Sequence, residues 1–325
     1  MKAIVNTGPG QLLLRDWPQP EPEPGQVRVR TGACAICATD LKMIAGWERT
    51  GFPTIPGHEW AGTVDAVGAG ADPGLVGCRC VAENVLSDGG EVGIEHPGGY
   101  GEYLLTEAAN VHVLPDDFPL PEATLIEPLA VAVRALRRLR LEDRSSALVF
   151  GDGPIGLLIL LLLRHAGVER VVVVGGRPER LAVALELGAA RTLNYHQASR
   201  DLAQAVRTAC GGPFPNVIEA SGSRAAVEAS LDLVAPCGRV LVVGDYDQAR
   251  ARFPWHHFLH REIELIGSNA STGAWPEAVR LAVEGQLPLA RLVTHRLSVA
   301  QFTQGMDLVR RRCGNVIKVV LEFQV

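Results

Sequence analysis

The stretch ALVFGDGPIGLLILLLLRH, residues 147–165, decides the fold. Residues 147–150 are apolar and of strand type. Gly151, Gly153 and Gly156 then match G-x-G-x-x-G, and the apolar run 155–163 ends at Arg164-His165. A strand, a glycine turn and a helix in that order make a dinucleotide fingerprint. The first glycine permits the tight turn, and the second lets a pyrophosphate approach the backbone. The third lets helix and strand pack closely, while the helix N-terminus favours phosphate charge. Gly151, Gly153, Pro154, Ile155 and Gly156 are therefore the candidate cofactor-binding loop. A glycine turn in an empty α/β fold and an S-adenosylmethionine site are the competing readings.

Downstream, strands and helices alternate. Residues 171–174 read as a strand and 178–187 as a helix; 216–219, 240–243 and 264–266 are later strands, with a helix over 224–234. Alternating βα units imply a doubly wound parallel sheet. A site for NAD ends its second strand with an acid that binds the ribose 2′-hydroxyl. Here the strand runs VVVVGGRPER, with Gly175 where the acid would fall and Arg177 two residues on. Glycine makes room for a 2′-phosphate and arginine pairs with one, so NADP(H) is expected over NAD(H). Tyr195, after the third strand, is a candidate for the adenosine phosphate or an ordinary loop tyrosine.

Upstream the texture is different. Residues 1–120 hold many short strands with Gly and Pro corners, which suggests a compact antiparallel barrel. PQPEPEPG, residues 18–25, is a stiff connector. A helix is expected from Pro121 to about Arg140, ending in a basic turn. The tail carries two helical patterns and a β-branched run, 316–323, that could return to the first domain.

The upstream half also holds metal donors. CATDLKMIAGWERTGFPTIPGHE, residues 37–59, offers a thiolate at Cys37, a hydroxyl at Thr39, an imidazole at His58 and a carboxylate at Glu59. Sulfur, nitrogen and oxygen donors together suit zinc, and three protein ligands leave a catalytic zinc one open position. A metal that polarises oxygen and a loop that holds a dinucleotide together imply hydride transfer. Three other features read more plainly. Cys34, Cys210, Cys237 and Cys313 show no ligand pattern and are expected as buried thiols. His256 and His260 lie one helical turn apart, outside the zinc motifs, and packing is the simpler role. The run 310–312 is a basic helix end.

Bulk properties narrow the class. At 325 residues, 47% apolar and 21% charged, the chain has the composition of an α/β protein of two domains. A net charge of −5 gives no footprint for nucleic acid or an acidic membrane. The N-terminal residues lack the apolar core of a signal peptide, so a cytoplasmic, reducing setting is expected for the seven cysteines.

With both motifs placed, the sequence resembles the zinc-dependent medium-chain dehydrogenase/reductase family, the alcohol and polyol dehydrogenases. CATD, GHEWAGTV, GGYGEYLL, EPLAVA, GDGPIG and NVIKVVL fall in the family's order. The resemblance implies a GroES-like barrel catalytic domain from residues 1–130 and 271–325, with a Rossmann domain over 131–270 between them. It implies zinc on Cys37 and His58, with Glu127 as the carboxylate ligand and Glu59 as the nearby catalytic acid that exchanges with water on the metal, either of the two coordinating in a given state. It also implies Thr39 as the hydroxyl that passes the alcohol proton outward. Residues 83–97 lack the four cysteines of the family's structural zinc, so one catalytic zinc per chain is expected. Lys42 stands where many members have a relay histidine, which leaves the proton path beyond Thr39 open. A homodimer or homotetramer acting on an alcohol or the matching carbonyl compound is implied. An NAD-dependent sugar-alcohol or cyclitol dehydrogenase, or a non-enzymatic NADPH-binding protein, are the alternatives. A zinc-free enone reductase would lack the ligand set. Trp47, Trp60 and Asn84 are candidates for the substrate pocket.

Overall fold

The computed structural model describes residues 1–197, 201–246, 250–312 and 314–323. It divides into two units, Met1–Glu127 with Trp275–Val325, and Pro128–Ala274. Among the described residues no helix is long and apolar enough to cross a membrane.

The first unit opens with a hairpin of β1 (Lys2–Gly8) and β2 (Gln11–Asp16). Next come β3 (Gln26–Ile36), helix α1 (Ala38–Ile44), β4 (Glu59–Val67), β5 (Arg79–Ala82), β6 (Tyr103–Glu107) and β7 (Val111–Val113). In β3, Val27 and Val29 point inward while Arg28 and Arg30 face outward, the period of a half-buried strand. From Ala33 onward β3 is buried on both faces, and Cys37 follows its last residue half-buried.

The single helix expected after residue 121 is two helices, α2 (Leu120–Ala123) and α3 (Ile126–Leu139). Pro128 explains the break. It has no N–H to give and its ring clashes with the preceding turn, so it is tolerated only in a helix's first turn. Glu127 is thereby placed at the start of a new helix.

The second unit alternates strand and helix: β8 (Ser146–Phe150), α4 (Pro154–His165), β9 (Arg170–Gly175), α5 (Pro178–Glu186), β10 (Arg191–Asn194), α6 (Leu202–Cys210), β11 (Phe214–Glu219), α7 (Arg224–Leu233), β12 (Val234–Val242), α8 (Trp255–His260) and β13 (Glu264–Gly267). All pairings are parallel, in the order β10-β9-β8-β11-β12-β13. β8 is buried along its whole length, as a parallel strand covered on both faces must be. Strand order departs from β8 in both directions, so the crevice beyond the carboxyl ends of β8 and β11 is the place where such sheets bind ligands. The core here packs Leu148, Phe150, Val172, Val174, Val217 and Val240 together.

The chain then returns to the first unit with α9 (Trp275–Val283), β14 (Val293–Ser298), α10 (Phe302–Arg311) and β15 (Lys318–Glu322). β15 lies antiparallel to β3 and parallel to β14. The seven-stranded sheet, β14-β15-β3-β4-β5-β7 with β6 also on β3, thus includes one parallel pairing. A core of Val29, Cys34, Ile36, Trp60, Tyr100, Met306, Val319 and Leu321 joins both ends of the chain.

Cys34 and Cys210 are buried, but Cys237 is exposed, against expectation. The register between β11 and β12 slips, with Phe214 opposite Val234 and Asn216 opposite Arg239. The extra residues of β12 bulge outward, and Cys237 sits in that bulge at φ 58°. Cys313 lies outside the described residues.

Candidate functional site

Cys37, His58 and Glu59 each present a donor atom within 4.8 Å of the others, the one such group of three among the described residues. Cys37 precedes the first turn of α1, where the β3 backbone ends. Glu59 opens β4 directly after His58, and pairs with Ala35 of β3. Gly57 makes the approach possible. Its φ is +101°, and a Cβ there would stand 2.6 Å from the Tyr100 ring and 2.9 Å from the Cys34 sulfur.

Asp40 organises the cluster. It is fully buried on α1, and its Oδ1 lies 2.9 Å from His58 Nδ1. Its Oδ2 accepts from the Cys37 backbone N–H at 2.8 Å and from the Tyr100 hydroxyl at 2.9 Å. One carboxylate therefore positions both the imidazole and the backbone that carries the thiol. Asn84 adds a second restraint, donating to the His58 carbonyl at 2.8 Å.

Glu59 is differently held. Lys318 Nζ, buried on β15, donates to both of its carboxylate oxygens at 2.8 and 2.6 Å. Glu127 is partly exposed and lies outside the close group of three. Burial first, then repulsion from Glu59, pushes its carboxyl up to about 7 against the pull of His58. Burial alone would lower His58, yet Asp40 and Cys37 hold it well above its usual value. Acids outnumber bases here: Asp40, Glu59, Glu127 and the Cys37 thiol face Lys318 and His58. Sulfur, nitrogen and oxygen donors that converge in this way fit a divalent zinc ion.

Thr39 stands half-buried on α1, two residues from Cys37. Trp60 is buried in the core rather than lining an open pocket, and Trp47 is partly exposed under the Arg49 guanidinium at 5.3 Å. Arg49 also reaches across to Glu91 at 2.9 Å and Glu95 at 2.7 Å. Those ion pairs tie down residues 83–97, the segment without cysteines. His256 packs edge-on against His257 and joins no group of three metal donors.

In the second unit the glycine loop follows β8. Gly151 has φ +120° and donates to the Val174 carbonyl at 2.8 Å. A Cβ on Gly156 would stand 2.1 Å from the Gly151 carbonyl oxygen, so α4 can lie this close only with glycine. Apart from its own chain neighbours, no atom of the described residues lies within 4 Å of where a Cβ on Gly153 would stand, so that backbone is open to approach. Pro154 and Ile155 open α4.

Gly175 does not leave the space expected of it. A Cβ there would meet three atoms of Asp152 at 2.5–2.6 Å. Asp152, the second residue of the loop, is buried, and its Oδ2 accepts from the backbone N–H of Gly176 at 2.9 Å and of Arg177 at 2.8 Å. Its Oδ1 is 3.7 Å from Arg177 Nη1 and 4.0 Å from Arg180 Nη1. Tyr195 lies close to the same turn, its hydroxyl 2.5 Å from where a Cβ on Gly176 would be. Beyond β11, Glu219 is fully buried and accepts from the Ser221 N–H and hydroxyl, the Gly222 N–H and the Tyr246 hydroxyl. It pins the turn that borders Gly151.

Asp40, Tyr100, Lys318, Asp152 and Glu219 had no assigned role from sequence. Asp40, Tyr100, Asp152 and Lys318 sit inside quoted motifs, and that position was their one available signal.

The zinc-binding dehydrogenase family matches residues 154–284, and the alcohol dehydrogenase GroES-like domain family matches residues 23–116. D-arabitol-phosphate dehydrogenase of Enterococcus avium is 29% identical over 99% of the chain and 97% of its own length. D-altritol 5-dehydrogenase of Agrobacterium fabrum is 31% identical over 93% of the chain and 94% of its own length. The solved structure of short chain alcohol dehydrogenase rspB from Escherichia coli CFT073, complexed with NADH, superposes with a TM-score of 0.92 at 26% identity, covering 99% of both chains.

Proposed function

The chain belongs to the zinc-type medium-chain dehydrogenase family, and from that premise we propose that it is a zinc-dependent oxidoreductase for a sugar alcohol and the matching carbonyl compound. The observation that carries this is the close set of half-buried Cys37 with buried His58 and Glu59, His58 being held by Asp40. Cys37 and His58 would hold one zinc with a carboxylate, Glu59 or Glu127. Lys318 engages both oxygens of Glu59, and Glu127 is the alternative carboxylate. Zinc in such a site supplies Lewis acidity to the substrate oxygen, so that the alcohol loses its proton near neutrality. Thr39, two residues from Cys37, is the hydroxyl that would relay this proton, accepting it while giving up its own outward. Residues 83–97 carry no cysteine, so one zinc per chain is the stoichiometry we expect.

A polyol substrate is supported by D-arabitol-phosphate and D-altritol dehydrogenases, and an amino-acid alcohol is the second reading, since L-threonine 3-dehydrogenases match the chain equally well. The coenzyme is a nicotinamide dinucleotide on the glycine loop, with the hydride moving between its ring and the carbinol carbon. Arg177, Arg180 and Tyr195 around Gly175 support NADP(H). The carboxylate of Asp152 in the same turn favours NAD(H) as the second reading.

The test is elemental analysis of protein purified without chelators, beside a polyol screen that follows reduced nicotinamide by absorbance. One zinc per chain, lost together with turnover in Cys37→Ala, is the expected result. Wild type without zinc, or a Cys37→Ala protein that keeps both zinc and turnover, would sink the assignment.

A further inference from the structure

Resting on the dinucleotide part of that reading, we propose that Asp152 is a specificity-determining residue of the coenzyme pocket, and that through it the chain uses both NAD(H) and NADP(H).

A sheet of this kind discriminates the two coenzymes at the end of its second strand. An acid there accepts a hydrogen bond from the ribose 2′-hydroxyl and repels a 2′-phosphate. Here the second strand, β9, ends in Gly175 and carries no such acid. The acid comes instead from the neighbouring loop. β8 and β9 run side by side, with Phe150 opposite Val174, so residue 152 is two steps beyond a strand end that adjoins Gly175. Its carboxylate crosses to the end of β9 and fills the place a side chain at 175 would take. Gly175 and Asp152 are thus a matched pair: a larger residue on the strand would collide with the acid from the loop.

The two oxygens differ. Oδ2 accepts from two backbone N–H groups, which fixes the carboxylate. Oδ1 stands 3.7 and 4.0 Å from the two arginines, ion-pair distances longer than a hydrogen bond, so it keeps acceptor capacity for a hydroxyl. Arg177 and Arg180 bring two positive charges to the same turn, and guanidinium is the group that suits a phosphate. With Asp152 and Glu179 against Arg177 and Arg180 the turn is close to neutral, and it holds both an acceptor and guanidinium groups. It therefore offers an acceptor to a 2′-hydroxyl and cations to a 2′-phosphate, and neither coenzyme is strongly rejected.

NADH and NADPH are titrated calorimetrically into wild type, Asp152→Asn, and a double variant, Asp152→Gly with Gly175→Asp, that moves the acid onto the strand. Thermal melts confirm that each protein is folded. Wild type should bind the two coenzymes within about tenfold of each other. Asp152→Asn keeps an oxygen for the backbone donors but loses the charge, and should shift the ratio toward NADPH by about tenfold or more. The double variant, which returns a carboxylate to the strand, should regain NADH affinity. A wild type that discriminates by more than about a hundredfold, or an Asp152→Asn ratio equal to that of wild type, overturns the proposal and leaves the dehydrogenase reading standing. So does a folded double variant that stays with NADPH. Wild type that binds neither nucleotide overturns the dinucleotide reading as well.

Discussion

A histidine that binds a metal through one ring nitrogen needs the other held in place. At His58 that partner is Asp40, which simultaneously accepts from the Cys37 backbone and the Tyr100 hydroxyl. Three buried groups share one carboxylate, so its charge bears on the whole donor set rather than on a single bond. Asp40→Asn preserves the shape and removes the charge. Zinc affinity, read by competition with a coloured chelator, should fall about 10–100-fold, the usual cost of losing such a partner. Unchanged affinity would mean that the imidazole is positioned by packing alone. Asp40 lies inside the CATD motif, yet its partners are 18 and 60 residues away. A motif displays neighbours along the chain, and these partners meet only after β3, β4 and the segment around Tyr100 have packed.

At the scale of elements, β7 and α9 meet through one ring pair. His112 of β7 stacks on Trp275 of α9, with parallel planes and centroids 6.0 Å apart. Burial of the imidazole lowers its pKa below the usual 6.5. A depressed histidine favours the neutral form in the folded state. Its contribution to stability is therefore present above pH 6.5 and is lost as pH falls through the folded-state value. His112→Phe keeps a ring against Trp275 and cannot titrate. Urea unfolding of both proteins across pH 5–8 should show the variant losing less stability than wild type below about pH 6.5. Parallel curves would remove His112 from the acid response. Elements were legible in the sequence where a local pattern sufficed, as in the strand, glycine turn and helix over 147–165. The break between α2 and α3 had a local cause in Pro128, which the apolar periodicity masked. The bulge that exposes Cys237 had none, because it reflects how β12 registers on β11.

The first unit is assembled from both ends of the chain, and its centre shows the consequence. Lys318, on the last strand, pairs with Glu59 across 259 residues of sequence, both side chains at most 3% exposed. No periodicity could announce that contact: Lys318 reads as one polar residue in a β-branched run, and Glu59 as half of a metal motif. Burial lowers the affinity of Lys318 for its proton, but Glu59 and Cys37 more than offset this, so the ammonium stays charged. The pair couples the closing strand to the donor set. Removing one partner strands a buried charge, which costs about 3–5 kcal/mol, whereas removing both is often close to neutral. Lys318→Met should therefore destabilise zinc-free protein by about that amount, and Lys318→Met with Glu59→Gln should recover much of the loss. Zinc changes the comparison, because a cation beside Glu59 can take over the charge that Lys318 gave up. The single variant should thus lose less stability when zinc is bound than when it is chelated. Urea unfolding of wild type and both variants, with and without chelator, reads all of these differences. Equal losses in the single and double variants would show that Lys318 matters for its packing and not for its charge. Equal losses with and without zinc would place Glu59 outside the metal's reach, leaving Glu127 as the carboxylate of the site.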